Sequence, residues 1–365
     1  MLPIHEIIKT LESVAPLALQ ESYDNAGLLV GDPEKRVNAA LLTVDVTEDV
    51  VEEAVQKGTG LIIAHHPVIF SGIKKITGGN YVERILAQAI RNEIAIYAAH
   101  TNLDAAPGGV NAKISEKLGL TGCRVLQPLT GRLKKLVAFI PVDAADKVKK
   151  AILDAGAGHI GNYDYCGFSL NGSGSFRGND QAHPFVGKKG QVHHENEIRF
   201  ETIFPAWKQN TILEALMDAH PYEEVAFDVY PLENSYQTTG MGMVGKLPEL
   251  LAENQFLQLL KNQFHTGCIK HTAFTGKKIS RVAVCGGAGA SLLPLAIQAK
   301  ADAFVSGDFK YHQFFDADNK ILIADIGHFE SEQFTKELFL ELLVKKFPKF
   351  ALRFSEVKTN PVNYY

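Results

Sequence analysis

Four apolar runs in this sequence end in histidine or carboxylate. Leu61–Ala64 runs into His65 and His66, and Ile94–Ala99 into His100 with Asp104 four residues on. Ala303–Val305 leads to Ser306 and Asp308, and Ile321–Ala324 to Asp325 and His328, with Glu332 one helical turn further. Imidazole and carboxylate donors suit zinc, iron or manganese, whereas a thiolate-free set suits Cu(I) poorly. His328 and Glu332 stand at i and i+4, which a helix places on one face, while Glu330 points elsewhere. Neighbouring side chains diverge from an extended backbone, so His65 and His66 do not readily serve one ion. Two cations about 3.5–4 Å apart, each taking one imidazole with Glu332 between them, resolve that geometry.

Each piece has an ordinary reading as well. A His-His pair can be a loop feature, and Asp104 can cap a helix. His100 and His312 serve equally well as structural histidines or as acid–base groups. Gly286, Gly287 and Gly289 lie between a strand and a helix, where backbone amides can receive a phosphate. The run lacks a full G-x-G-x-x-G, so a plain tight turn is the competing reading. His159, His183, His193, His194 and His220 are scattered without ligand spacing and read as surface residues.

The elements that must position these groups alternate in type. Helical patterns at Pro3–Val14, Thr47–Gln56, Tyr81–Asn92 and Asn111–Leu118 interleave with strands at Ala39–Val44, Leu61–Ala64 and Ile94–Ala99. Such alternation implies crossovers and a mainly parallel sheet, whose carboxyl edge is where ligands bind. Ser22–Pro33 reads as turn-rich. From about 127 to 232 the order becomes β-α-β-β-α-β, that of a ferredoxin-like split unit. The β-then-α succession then resumes, ending in one long helix over His328–Phe347. The expected architecture is an α/β domain built from two discontinuous segments, 1–126 and 233–365. An inserted ferredoxin-like α+β domain, 127–232, separates them.

Length and composition fit this frame. At 365 residues the chain has room for two or three domains and an ample core. Its 37 basic and 41 acidic residues give −4, which argues against a generally cationic nucleic-acid binder. Cys123, Cys166, Cys268 and Cys285 include no C-x-x-C pair, and isolated thiols suit a reducing compartment. The opening residues read as an amphipathic helix rather than a secretory leader, and no apolar stretch reaches membrane-span length. The expected location is the cytoplasm.

Five blocks carry a resemblance. Tyr23-Asp-Asn-Ala-Gly-Leu-Leu-Val-Gly31, Ala64-His-His-Pro67, His100-Thr-Asn-Leu-Asp104, Ser306-Gly-Asp308 and Gly327-His-Phe-Glu-Ser-Glu332 resemble the NIF-three-like family. Its members are also called dinuclear metal-centre hexameric proteins or GTP cyclohydrolase 1 type 2 homologues. The resemblance implies metal ligands at His65, His66, Asp104, His328 and Glu332. One ion would be held by His66 and Asp104 and the other by His65 and His328, with Glu332 shared. It also implies a PII/CutA-like insert, whose last strand is carried by Ala219–Pro231, and a toroidal homohexamer built as a trimer of dimers.

Two function classes follow. One is a metal-dependent hydrolase acting on a nucleotide or related heterocycle, with two divalent ions (zinc first, iron or manganese next). In it His100 or His312 would move protons, and Gly286, Gly287 and Gly289 would cradle phosphate. The other is a non-catalytic metal-dependent sensor, adaptor or metal-handling scaffold. Binding of nucleic acid inside a ring is disfavoured by the charge.

Overall fold

The computed structural model describes residues 1–365 and divides into two compact units, Met1–Pro128 with Thr238–Tyr365, and Leu129–Gln237. The fold is mixed α/β.

Short, wholly apolar strands set the first unit. Ala39–Thr43, Leu61–Ala64 and Ala95–Ala98 are buried along their whole lengths, as strands covered on both faces must be. They pair in parallel, Ala351–Phe354 adds a parallel edge and Gly27–Val30 an antiparallel one. That last strand corrects the turn-rich reading of Ser22–Pro33. Its Gly-Leu-Leu-Val run is too short to show a period, and only pairing with Ala95–Ala98 reveals it. Helices Glu48–Gln56 and Tyr81–Arg91 pack Val50, Val51, Ile85 and Leu86 against Leu41, Ile62 and Ile96. Thr47 caps the first, accepting from the Val50 amide, as its position predicts.

A second sheet of the same unit runs in the order Lys270–His271, Leu322–Asp325, Ala303–Ser306, Ile279–Val284, Tyr236–Leu251, Thr121–Leu129. Its three central strands are parallel. The 16-residue strand Tyr236–Leu251 carries Gly240, Gly242, Gly245 and Pro248, which hide it from a propensity reading. The expected long helix His328–Phe347 is two helices, His328–Glu332 and Thr335–Lys346. The break at Gln333–Phe334 frees the short first helix to be aimed by its own contacts.

The second unit carries a four-stranded antiparallel sheet in the order Phe227–Leu232, Leu133–Pro141, His193–Pro205, Phe168–Phe176. Helices Ala145–Asp154 and Gln209–Ala219 bury Val148, Ile152, Ile212 and Leu216 against Leu136, Ala138, Phe200 and Phe204. No helix of either unit is long and apolar enough to cross a membrane.

Candidate metal centre

Both sheets of the first unit send polar groups off the carboxyl ends of their parallel strands. The amides of His65 and His66 both donate to the Val44 carbonyl, at 3.1 and 2.9 Å, so the chain turns sharply there. The two rings part as a result. His65 Nδ1 lies 2.8 Å from the Ala99 carbonyl, which can only accept, so Nδ1 carries the proton and Nε2 keeps its lone pair. His66 Nδ1 is held by Asp45 Oδ1 at 2.7 Å, and His328 Nδ1 by Asp308 Oδ2 at 2.7 Å. A carboxylate behind each imidazole fixes ring orientation and raises basicity, as metal-ligating histidines require.

The free ring nitrogens converge on Glu332. Its Oε2 lies 2.9 Å from His66 Nε2, 3.1 Å from His328 Nε2 and 3.6 Å from His65 Nε2. The two nitrogens of His66 and His328 are 3.2 Å apart, and His65 Nε2 is 3.7 Å from Asp104 Oδ1. Two groups thus share one carboxylate: His66, His328 and Glu332, and His65, Asp104 and Glu332. A tetrahedral ion with bonds of about 2.0–2.1 Å keeps its ligand atoms roughly 3.3 Å apart. The edges of the first group match that spacing, and those of the second are a little wider.

Unmet valence gives a second test of fit. His65 Nε2 and Asp104 Oδ1 are buried with no hydrogen-bond partner, a costly state for polar atoms unless a cation satisfies them. Burial, with the nearby Glu332, pushes the Asp104 carboxyl well above the usual range. Burial also resists ionisation of Glu332, but the imidazoles of His65, His328 and His66 outweigh it and hold that carboxyl well below. Cys285 is buried beside both, and burial followed by their charges pushes its thiol up. No cysteine belongs to the converging groups, whose donors are nitrogen and oxygen, the set that suits zinc, iron and manganese.

In this geometry the nearest neighbours are His65 with Asp104 and His66 with His328. The cause is local: the bond to Ala99 draws His65 toward the segment that carries Asp104, and Asp45 holds His66 toward His328.

A family model described as Duf34/NIF3 (NGG1p interacting factor 3) matches residues 2–361. The chain belongs to the Duf34/NIF3 family. It is 38% identical over 363 residues to a protein of Halalkalibacterium halodurans named GTP cyclohydrolase 1 type 2 homolog, covering 98% of each chain. A Bacillus subtilis protein of the same name is 37% identical over 365 residues, again covering 98% of each. The crystal structure of a Bacillus cereus protein related to NIF3 superposes with a TM-score of 0.87 at 40% identity, over 99% of both chains. A Staphylococcus aureus protein follows at TM-score 0.79 and 28% identity, over 100% of this chain and 99% of that one.

In this Duf34/NIF3 chain the glycine run lies against the candidate site. The amides of Gly286, Gly287 and Gly289 already donate to Asn111 Oδ1, Ser331 Oγ and Ser306 Oγ. With all three engaged, a phosphate cradle there has no glycine amide left. Instead Gly287, at φ +60°, passes under the site: a Cβ on it would stand 2.5 Å from Glu332 Oε1 and 3.2 Å from His328 Nε2. His312 is likewise not brought in; it is exposed, with Tyr311 and Phe315 as its ring neighbours. His100 is brought in. Its ring sits edge-on to those of His65 and His66 at 5.3 Å, and its Nδ1 is held by the buried Asp24 at 2.8 Å. Of the scattered histidines, His159, His183 and His194 are exposed and His193 pairs with Glu195. His220 is buried, bonded to the Phe139 carbonyl and the Tyr222 amide, and so is not a surface residue. Sequence reasoning missed Asp45, although a carboxylate just past the strand Ala39–Thr43 is the same signal that marked the candidate ligands.

A pH dependence follows from the two exchangeable imidazoles. Burial opposes a charge on His66, yet Asp45 and Glu332 hold its pKa up at about 10. Burial likewise opposes a charge on His328, yet Glu332 and Asp308 hold it at about 9. Both rings are thereby biased toward the protonated form, and a cation binding there would have to displace those protons. Calorimetry of zinc binding in buffers of different ionisation enthalpy should register release of about two protons at this group. Affinity should climb with pH by up to about a hundredfold per unit, then level between pH 9 and 10. Binding without proton release would contradict the assignment.

Proposed function

We propose that this chain is a dinuclear metal-dependent hydrolase acting on a nucleotide or related heterocycle. His65, His66, Asp104, His328 and Glu332 would hold two divalent ions, zinc first, with iron or manganese compatible. The observation that carries the reading is the pair of ligand groups meeting at Glu332, one of them with two orphaned buried polar atoms. The relatives' name, GTP cyclohydrolase 1 type 2 homolog, points to GTP as the first substrate to test. When bound, a pair of divalent cations supplies Lewis acidity and brings the pKa of water toward neutrality.

The chain's own groups have distinct tasks. Asp45, Asp308 and the Ala99 carbonyl fix the tautomers and directions of the three ligating rings. Burial of His65, Asp104 and Glu332 keeps bulk water from competing. His100 borders the group, and Asp24 orients it, so it is the residue placed to carry a proton to or from the substrate.

We also read the chain as three segments, 1–126, 127–232 and 233–365, with the middle one an inserted ferredoxin-like domain of the PII/CutA kind. A cytoplasmic, toroidal homohexamer is the proposed assembly. A non-catalytic sensor, adaptor or metal-handling scaffold is the second reading. The deep enclosure of Glu332 and His65 favours it, since that suits retention of an ion as well as turnover.

Incubating GTP with the zinc-, iron- or manganese-loaded protein separates the two. The hydrolase reading expects product release that His328→Ala abolishes and His312→Ala leaves intact. Full turnover after metal stripping rules out the metal-dependent reading, and no turnover of GTP with any of the three metals rules out GTP as the substrate.

A further inference from the structure

The last eleven residues, Ser355–Tyr365, form neither helix nor strand, yet they make side-chain bonds to three separate elements. Ser355 Oγ and the Glu356 amide donate to Glu53, in the helix Glu48–Gln56. Thr359 Oγ1 donates to Asp45 Oδ2 at 2.8 Å, and Asn360 Nδ2 to Glu330 Oε1 at 3.0 Å. Asp45 is the carboxylate behind His66, and Glu330 belongs to the short helix that carries His328 and Glu332. The segment therefore ties together the supports of the two imidazoles whose Nε2 atoms lie 3.2 Å apart.

We propose that Ser355–Asn360 is a strap for one half of the metal centre, with Thr359 as its positioning residue. The inference rests on the metal reading above and adds a part to it. Asp45 uses one oxygen for His66 Nδ1, at 2.7 Å, and the other for Thr359. With Thr359 lost, the carboxylate keeps a single side-chain tether and can rotate, and His66 loses a fixed direction. The two halves differ in this respect. His65 is held by the main-chain carbonyl of Ala99, inside the sheet, and Asp104 sits in the helix Thr101–Ala105. No strap bond reaches either of them. The Asn360 bond reaches the helix of the shared Glu332, whereas Thr359 acts through Asp45 on His66, and so on the ion of His66 and His328 and not on that of His65 and Asp104.

The test uses the full-length chain loaded with zinc and titrated with a chromophoric chelator. The wild type should yield two zinc ions per chain. Thr359→Val, which keeps the volume and removes the hydroxyl, should weaken one ion by about tenfold and leave the other unchanged. Supports lying directly behind a ligand are worth about 10–100-fold in affinity, and Thr359 acts one bond further out. Thr359→Ser should restore wild-type retention. In an Asp45→Ala background the Thr359→Val effect should vanish, because the hydroxyl acts through that carboxylate. Equal weakening of both ions, or a Thr359→Val chain that matches the wild type, overturns the strap. A wild type that takes up no zinc, iron or manganese overturns the metal reading instead, and the two failures are told apart by the wild-type count alone.

Discussion

Glu332→Gln should empty both halves of the metal centre at once, with metal content falling from two ions per chain toward none. Only one residue of the five belongs to both ligand groups, and its Oε2 stands within 3.6 Å of three imidazole nitrogens. Gln keeps the shape but removes the charge and presents an amide with half the acceptor capacity. Replacing a group behind a ligand costs about 10–100-fold in affinity, so replacing the shared ligand should exceed about 100-fold. The metal-free protein should change as well. Glu332 is a principal reason that His66 and His328 hold their protons to about 10 and about 9. In the Gln variant both titrations should move down, visible in the imidazole resonances. Breaking a buried ion pair by removing one partner costs about 3–5 kcal/mol, so the melting temperature should also drop. Metal content and affinity matching the wild type would show that Glu332 is not the common ligand.

Gly287→Ala should disable the centre without altering any ligand. Its Cβ would enter the space of Glu332 Oε1 at 2.5 Å and of His328 Nε2 at 3.2 Å. One contact is shorter than real Cβ atoms tolerate, so the carboxylate or the loop must move. A left-handed backbone costs a non-glycine residue about 1–2 kcal/mol in addition. Gly276 is the control for that backbone cost: it has φ +77°, and a methyl there would meet nothing within 4 Å. Both variants should lose a similar backbone increment of stability, but only Gly287→Ala should lose metal. Equal metal retention in the two would place the glycine run outside the site.

The convergence of the candidate ligands was legible because they obey one rule of placement. His65, His66, Asp104, His328 and Glu332 all follow buried apolar strands, and the strand ends of a parallel sheet share an edge. The i, i+4 spacing of His328 and Glu332 needed only a five-residue helix to be realised. The grouping of side chains around Glu332 was not legible. It depends on which neighbour takes each Nδ1, and Ala99 and Asp45 are remote in sequence from His328 and Glu332.

The surroundings of the glycine run were hidden for a related reason. Its amides were free on paper, and Asn111, Ser331 and Ser306, which engage them, come from three other segments. Gly27–Val30 and Tyr236–Leu251 escaped because pairing, rather than local propensity, makes them strands. Thr359 and Asn360 sit in a segment without periodicity, where a side chain's role is set by what it reaches across space.

Crystals of the zinc-loaded protein, measured on both sides of the zinc absorption edge, offer the most direct trial. Two anomalous peaks per chain are expected, one against His66, His328 and Glu332 and the other against His65, Asp104 and Glu332. A single peak, none, or peaks held by other side chains would contradict the account.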